Sequence, residues 1–280
     1  MKKRTKWILL AVLAALLTVY CVWQNTALVR TDHTVTSEDL PEAFDGFRIV
    51  HISDLHNTEF GDGNERLLAM IRQAKPDIIA ITGDIIDSRF TDVETALEFA
   101  RAAMDIAPCY YVTGNHELRD DAYGELEAGL TAAGVVVLRG RTVILERDGQ
   151  KLCIAGVDDP SGQAEEEEDH PAVMVGMLKG LTGEEYTILL SHRPELFEVY
   201  CEYGMDLVLS GHAHGGQIRL PFIGGLVGSG TFFPKYDAGL FTEGRTNMVV
   251  SRGLGNSLFP VRINNRPEVV VVTLRKLVKT

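Results

Sequence analysis

Residues 48–56, RIVHISDLH, set the pattern from which the fold is read. A run of β-forming apolar residues ends abruptly in the polar Ser53-Asp54-Leu55-His56. The same figure returns at 77–87, DIIAITGDIID, and at 110–117, YYVTGNHE. Between these runs lie 64–75 and 93–106, where apolar residues recur at helical spacing. Alternation of strand and helix in this way is a βαβ signal, which requires parallel strands joined by right-handed crossovers. Ligands bind at the carboxyl ends of the strands in such sheets, so Asp54, Asp84 and Asn115 are expected to converge although roughly thirty residues separate each from the next.

Past Gly134 the pattern changes. Strand-like runs at 135–138, 142–146 and 152–157 surround the turn Arg147-Asp148-Gly149. Two more, 187–190 and 207–209, lead directly into Ser191-His192 and Gly211-His212-Ala213-His214, and 217–220, 247–251 and 269–274 follow. Strands with helices, then mostly strands, indicate an α/β fold: a four-layer αββα sandwich of two mixed sheets flanked by helices. No internal repeat is visible.

With 280 residues the chain has enough length for one large core and needs no second domain. Its formal net charge of −12 argues against long-range attraction to a nucleic-acid polymer or an anionic membrane surface. A phosphate that binds must be drawn by local charge.

The amino-terminal segment is the exception to this acidity. Lys2, Lys3, Arg4 and Lys6 precede an uncharged run from Trp7 to Trp23, and these are the chain's two tryptophans. As a helix the run spans about 25 Å, with an aromatic ring toward either interface. A cleaved signal peptide is the competing reading. The run is longer than a usual signal core, no small-x-small site occurs in 18–24, and Tyr20 before Cys21 does not suit a lipoprotein site. Residues 1–27 are therefore expected to be a single-pass anchor, 28–45 a linker or edge strand, and 46–280 the folded domain. The basic residues on the amino-terminal side place that domain outside the cytoplasm.

Cys21 lies in the expected anchor, which leaves Cys109, Cys153 and Cys201 as an odd set without metal spacing. They read as small buried hydrophobes rather than a disulfide framework or a thiolate zinc site.

Five motifs in one order carry the chemistry: Ser53-Asp54-Leu55-His56, Gly83-Asp84-Ile85-Ile86-Asp87, Gly114-Asn115-His116-Glu117, Ser191-His192 and Gly211-His212-Ala213-His214. Each alone recurs by chance. Asp84 and Asn115 singly read as turn or helix-capping residues, and His192 singly as a structural histidine. Together they supply seven oxygen and nitrogen ligands, the complement that two adjacent divalent cations need.

The ordered set resembles the calcineurin-like metallophosphoesterase superfamily over roughly residues 46–274. Three features are similar to its membrane-anchored bacterial branch, which includes pyrophosphatases acting on UDP-2,3-diacylglucosamine: Gly211-His212-Ala213-His214-Gly215-Gly216-Gln217-Ile218, Gly156-Val157-Asp158-Asp159-Pro160 and Ser251-Arg252-Gly253-Leu254-Gly255. The resemblance implies that Asp54, His56 and His214 hold one cation, that Asn115, His192 and His212 hold the other, and that Asp84 bridges them. It implies manganese, iron or zinc, with manganese favoured, and in-line attack by a bridging hydroxide on a phosphodiester or pyrophosphate. His116 would then face the phosphoryl and leaving-group oxygens, while Asp87 and Glu117 fix the orientation of the ligands. A nucleotide or general phosphomonoesterase, and a scaffold that binds metal without catalysis, are the competing functions.

Substrate selection is less legible. Arg193, Arg219 and Arg252 lie near motifs and carry forks that match phosphate, but surface arginines are common. The apolar stretch 220–227 with Phe232-Phe233-Pro234 either cradles an acyl chain, rests on a membrane or packs in the core. The acidic run 165–169 is either a flap or a solvated helix start. Gly215 and Gly216 either form a turn or let the backbone pass close to a ligand. His33, His51 and His170 fall outside every motif and receive no role.

Overall fold

The computed structural model describes residues 3–181, 183–228, 231–256 and 260–277; of the residues discussed above, Lys2 lies outside these. Seven helices occur among the described residues: α1 (Lys3–Thr26), α2 (Glu65–Ala74), α3 (Val93–Met104), α4 (Asn115–Leu118), α5 (Tyr123–Ala132), α6 (His170–Leu178) and α7 (Phe197–Glu202). The strands of one sheet are β1 (Val29–Ser37), β2 (Arg48–Ile52), β3 (Ile78–Thr82), β4 (Cys109–Val112), β5 (Val136–Val137) and β14 (Glu268–Lys276). A second sheet holds β6 (Arg141–Arg147), β7 (Gln150–Gly156), β8 (Tyr186–Leu190), β9 (Leu207–Ser210), β12 (Gly239–Glu243) and β13 (Thr246–Val250). A short hairpin, β10 (Arg219–Leu220) and β11 (Gly224–Gly225), stands apart from both.

The first sheet runs β1-β14-β2-β3-β4-β5, with β14 antiparallel to β2 and the other neighbours parallel. The second runs β12-β13-β9-β8-β7-β6, antiparallel only at its two edges. Both are mixed sheets.

Side-chain alternation along each strand builds the layers. In β3, Ile78 and Ala80 face the space between the sheets, whereas Ile79 and Ile81 face α2 and α3. In β8, Ile188 and Leu190 enter the same inter-sheet core, and Leu189 packs outward with Met174 of α6 and Phe197 of α7. The strands are apolar on both faces because each sheet is covered twice. The result is the four-layer αββα sandwich.

Of the two alternatives for residues 28–45, the edge strand is the one seen. Nine of them form β1, whose register with β14 runs from Val29 opposite Glu268 to Ser37 opposite Lys276. Exposure alternates along β1, with Thr31, His33 and Val35 turned inward and Asp32, Thr34 and Thr36 outward, as suits an edge strand with one face covered. The run 217–220 shortens to β10, and β12, with no apolar alternation to betray it, is a strand only through pairing with β13. Residues 167–169 form a short 3-10 turn running into α6, which is the solvated helix-start reading. Cys109 and Cys153 are buried and Cys201 partly so, all three free. Helix α1 is apolar from Trp7 to Trp23 and exposed from Lys3 to Val19, and it is long enough to cross a membrane.

Candidate metal centre

The five motifs sit where parallel strands end. Asp54 follows β2, Asp84 follows β3 and Asn115 follows β4 in one sheet; His192 follows β8 and His212 follows β9 in the other. The first sheet thus delivers the carboxylates, the amide and the His56 imidazole, and the second sheet the imidazoles of His192, His212 and His214.

Backbone shape at these junctions is unusual. Asp54, His56, Asp84, His212 and His214 all have φ between 46° and 65°, a region that non-glycine residues seldom occupy. Strain of this kind persists only where surrounding contacts impose it, and it clusters at functional sites. Here the contacts are visible: Asp54 N–H donates to the Gly83 carbonyl, and His56 N–H to that of Asp84, each at 3.0 Å. Glycines make the approach possible. A side chain at Gly83 would collide with the Gly114 backbone, and one at Gly211 with Ser53 and Asp54.

Three three-residue clusters result among the described residues, Asp54-His56-His214, Asp84-His192-His212 and, at their edge, His56-Asp87-His116, each with ligand atoms within 4.8 Å of one another. The members of the first two are buried. The two clusters interlock: His192 Nε2 lies 3.2 Å from Asp84 Oδ2 and 3.9 Å from Asp54 Oδ1, and His56 Nε2 lies 3.8 Å from Asp84 Oδ2. His214 Nε2 is 3.4 Å from Asp54 Oδ1 and 3.2 Å from His56 Nε2. The Asn115 side-chain oxygen is buried without a hydrogen-bond partner. An orphaned acceptor beside carboxylates and imidazoles suits a cation ligand, so the donor set fits divalent metal.

Burial lowers the pKa of His56 to about 4 and those of His212 and His214 well below the ordinary imidazole value. These rings are neutral lone-pair donors at neutral pH. Burial acts on His192 in the same sense, but the carboxylates of Asp84 and Asp54 overcome it and raise His192 to about 10. A cation held by these residues would take the place of that proton.

His116 stands at the edge of the clusters, its ring 4.5 Å from that of His56. Its Nδ1 accepts the Ser88 N–H at 3.1 Å and lies 3.5 Å from Asp87 Oδ1. Asp87 is itself clamped by Arg89 Nε at 2.9 Å and Nη2 at 2.6 Å. Glu117 is fully buried and gathers four backbone N–H groups: Asp84 and Gly114 at 2.7 Å, Ile85 at 2.8 Å and Ile86 at 3.2 Å. It ties the end of β3 to the end of β4.

The arginines lie differently from a simple phosphate grip. Arg193 is buried and forked onto Asp159 at 2.6 and 3.1 Å, with Nη1 2.9 Å from His212 Nε2. Arg252 pairs with Glu268 at 2.7 Å, and Arg219 with Asp237 at 2.9 Å. Two supports were not legible beforehand. Arg262 is fully buried and donates to the carbonyls of Arg252, Gly255 and Asn265, while Asn265 Nδ2 donates to the His214 carbonyl at 2.7 Å. Their only sequence signal is an Arg and an Asn in a polar loop. Gly215 and Gly216 have positive φ and press against Asn265 and Gly225, so they serve the turn.

A cavity of about 380 Å³ opens beside His212 and Arg193, walled by Phe232, Phe233 and Tyr236.

Ligand clusters held at the carboxyl ends of two facing sheets define the class, a metallohydrolase. The chain belongs to the calcineurin-like phosphoesterase family, whose model matches residues 47–216. It is 34% identical over 253 residues to the uncharacterized metallophosphoesterase YkuE of Bacillus subtilis, spanning 88% of this chain and 85% of that protein. A Danio rerio transmembrane protein with metallophosphoesterase domain is 31% identical over 255 residues, 88% of this chain and 57% of that one. The phosphodiesterase YaeI of Escherichia coli is 29% identical over 247 residues, covering 81% and 82%. The protein is therefore a hydrolase of phosphoester bonds, in a family that works with two cations.

Proposed function

We propose that the protein is a membrane-anchored phosphohydrolase that cleaves a phosphodiester or pyrophosphate bond. The observation that carries this reading is the interlocking of Asp54-His56-His214 with Asp84-His192-His212 across 3.2 to 3.9 Å. In this reading Asp54, His56 and His214 hold one cation, Asn115, His192 and His212 the other, and Asp84 both. Divalent ions there, with manganese favoured over iron and zinc, supply a water nucleophile at neutral pH and positive charge for the transferring phosphoryl group.

The chain's own residues do the rest. Asp84 carries a carboxylate with two usable oxygens, of which Oδ1 accepts the His116 N–H at 2.8 Å. That bond couples the position of the acid to the bridging ligand. Because His116 Nδ1 accepts from Ser88, the neutral ring carries its proton on Nε2 and can give it to the departing alkoxide. Asp87 and Glu117 hold the frame, Arg193 lines the cavity beside His212, and Arg252 is held by Glu268.

A lipid-linked substrate such as UDP-2,3-diacylglucosamine is favoured by α1 and by the apolar cavity beside His212, and Lys3, Arg4 and Lys6 at the amino-terminal end of α1 favour a domain outside the cytoplasm. The test is hydrolysis by the full chain in detergent, loaded with Mn²⁺, of a chromogenic diester, the matching monoester and UDP-2,3-diacylglucosamine. Preference for the diester or the nucleotide-lipid supports the reading; faster turnover of the monoester overturns it in favour of a phosphomonoesterase. Two bound metals with no turnover of any substrate would favour the scaffold.

A further inference from the structure

Apolar side chains gather in the open around one rim of the molecule. On the β10–β11 hairpin Phe222 is 109% exposed and Ile223 63%; beside it, Phe232 is 75% and Phe233 58% exposed. Core packing, one of the readings of this stretch, does not hold for Phe222, Ile223, Phe232 and Phe233, while Leu226 and Val227 are half-buried. Phe222 and Phe233 also take φ of 68° and 53°, a conformation that bulky residues avoid. The fold holds two aromatic rings at strained turns without burying them, which gains no internal stability.

The rim is tied to α1. The Tyr20 hydroxyl donates to Asn264 Oδ1 at 2.8 Å, and Asn264 Nδ2 donates to the Arg219 carbonyl at the root of the hairpin at 3.2 Å. Gln24 Oε1 accepts the Asn265 N–H at 3.1 Å, so the last turns of α1 are docked on the body while 3–19 stand clear of it. The membrane boundary then falls near Tyr20 and Trp23, where aromatic rings prefer to lie. Three residues reach at most about 10 Å, so Phe222 sits close to that same level.

We propose that this rim is a second membrane contact, with Phe222, Ile223, Phe232 and Phe233 seated in the interface of the bilayer that α1 crosses. The inference rests on the anchored reading of α1. Phe232 and Phe233 also wall the cavity beside His212, so the mouth of the centre opens at the lipid surface and receives phosphoesters whose apolar part stays in the bilayer. With a net charge of −12, the contact is made by apolar burial and is independent of anionic lipid.

The experiment is tryptophan fluorescence of the full chain in phosphatidylcholine vesicles. The native Trp7 and Trp23 report on α1 alone. Phe222→Trp in a Trp7→Phe, Trp23→Phe background reports on the rim, and Ile144→Trp, on the opposite sheet edge, reports on water. The expected result is blue-shifted emission at position 222, quenched by lipids brominated on the acyl chain and protected from iodide, with the opposite at 144. Emission at 222 that matches 144, while the native tryptophans are quenched by bromolipid, overturns the inference and leaves the anchor intact. Native tryptophans that bromolipid does not quench overturn the anchor itself. Because the readout is optical, neither outcome depends on the reaction.

Discussion

Ser88 donates its backbone N–H to His116 Nδ1 at 3.1 Å, and its hydroxyl lies at the same distance from that nitrogen. One nitrogen of the ring is thereby spent on the protein and the other is left for chemistry. Burial also lowers the His116 pKa, so the ring is a neutral donor at neutral pH. His116→Ala should retain both cations, because His116 belongs to neither of the two interlocked clusters and meets His56 and Asp87 only in a third group at their edge, yet slow turnover by roughly 10²-fold or more. Metal analysis together with kcat on a diester checks this. Full activity in the metal-loaded variant would remove His116 from the mechanism.

Asp84 lies within reach of His56, His192 and the His116 backbone at once. Asp84→Ala should lose metal and activity together. Asp84→Asn keeps an acceptor for the His116 N–H but removes the charge that pairs with the buried His192, so the metal-free protein should be less stable than the parent and bind metal only weakly. Two tightly bound ions in Asp84→Asn, counted by elemental analysis after dialysis, would contradict the bridging role.

Glu117 collects four N–H groups in a site that water does not reach. Its removal leaves those donors buried and unmatched, at a cost of about 1 to 3 kcal/mol each before the loops relax. Glu117→Ala should therefore destabilise the metal-free protein by at least about 3 kcal/mol and loosen the centre. Denaturant unfolding in the presence of chelator measures the first effect. A change within about 0.5 kcal/mol, that of an ordinary surface substitution, would mean that the loops find other partners.

The βαβ frame and the places of the ligand candidates were legible because both depend on local pattern. Apolar runs of 48–53 and 77–82 end in polar residues whatever the rest of the chain does, and strand ends face one way in a parallel sheet. What escaped was set by distant partners. β1 needs β14, which lies over two hundred residues away, and β12 needs β13. Arg262 is buried because three carbonyls from a folded loop converge on it, a circumstance that no window of sequence contains. Sequence left open whether the arginines near motifs meet phosphate, because their carboxylate partners Asp159, Glu268 and Asp237 are brought to them only by the fold. Exposure of the hairpin likewise follows from position and not from composition, since the same residues in a strand would have been core.

His51, in β2 beside the centre, received no role from sequence and is fully buried, with Nε2 2.7 Å from Thr82 Oγ1. Burial lowers its pKa to about 3, with Glu268 acting in the opposite sense. An unfolded chain binds a proton on this ring near the ordinary value of about 6.5, so between about 6.5 and 3 the unfolded state holds one proton more. Stability from this group is complete above the higher value and falls as pH drops through the window, with a slope of up to about 1.4 kcal/mol per pH unit. His51→Gln keeps a hydrogen-bonding partner for Thr82 and cannot titrate. Its unfolding free energy in detergent should lose less between pH 6.5 and 4.5 than that of the parent chain, by about one proton in the slope. Identical slopes for the two proteins would show that the ring is protonated in the folded state as readily as in the unfolded one, and that acid loosens the fold through the carboxylates alone.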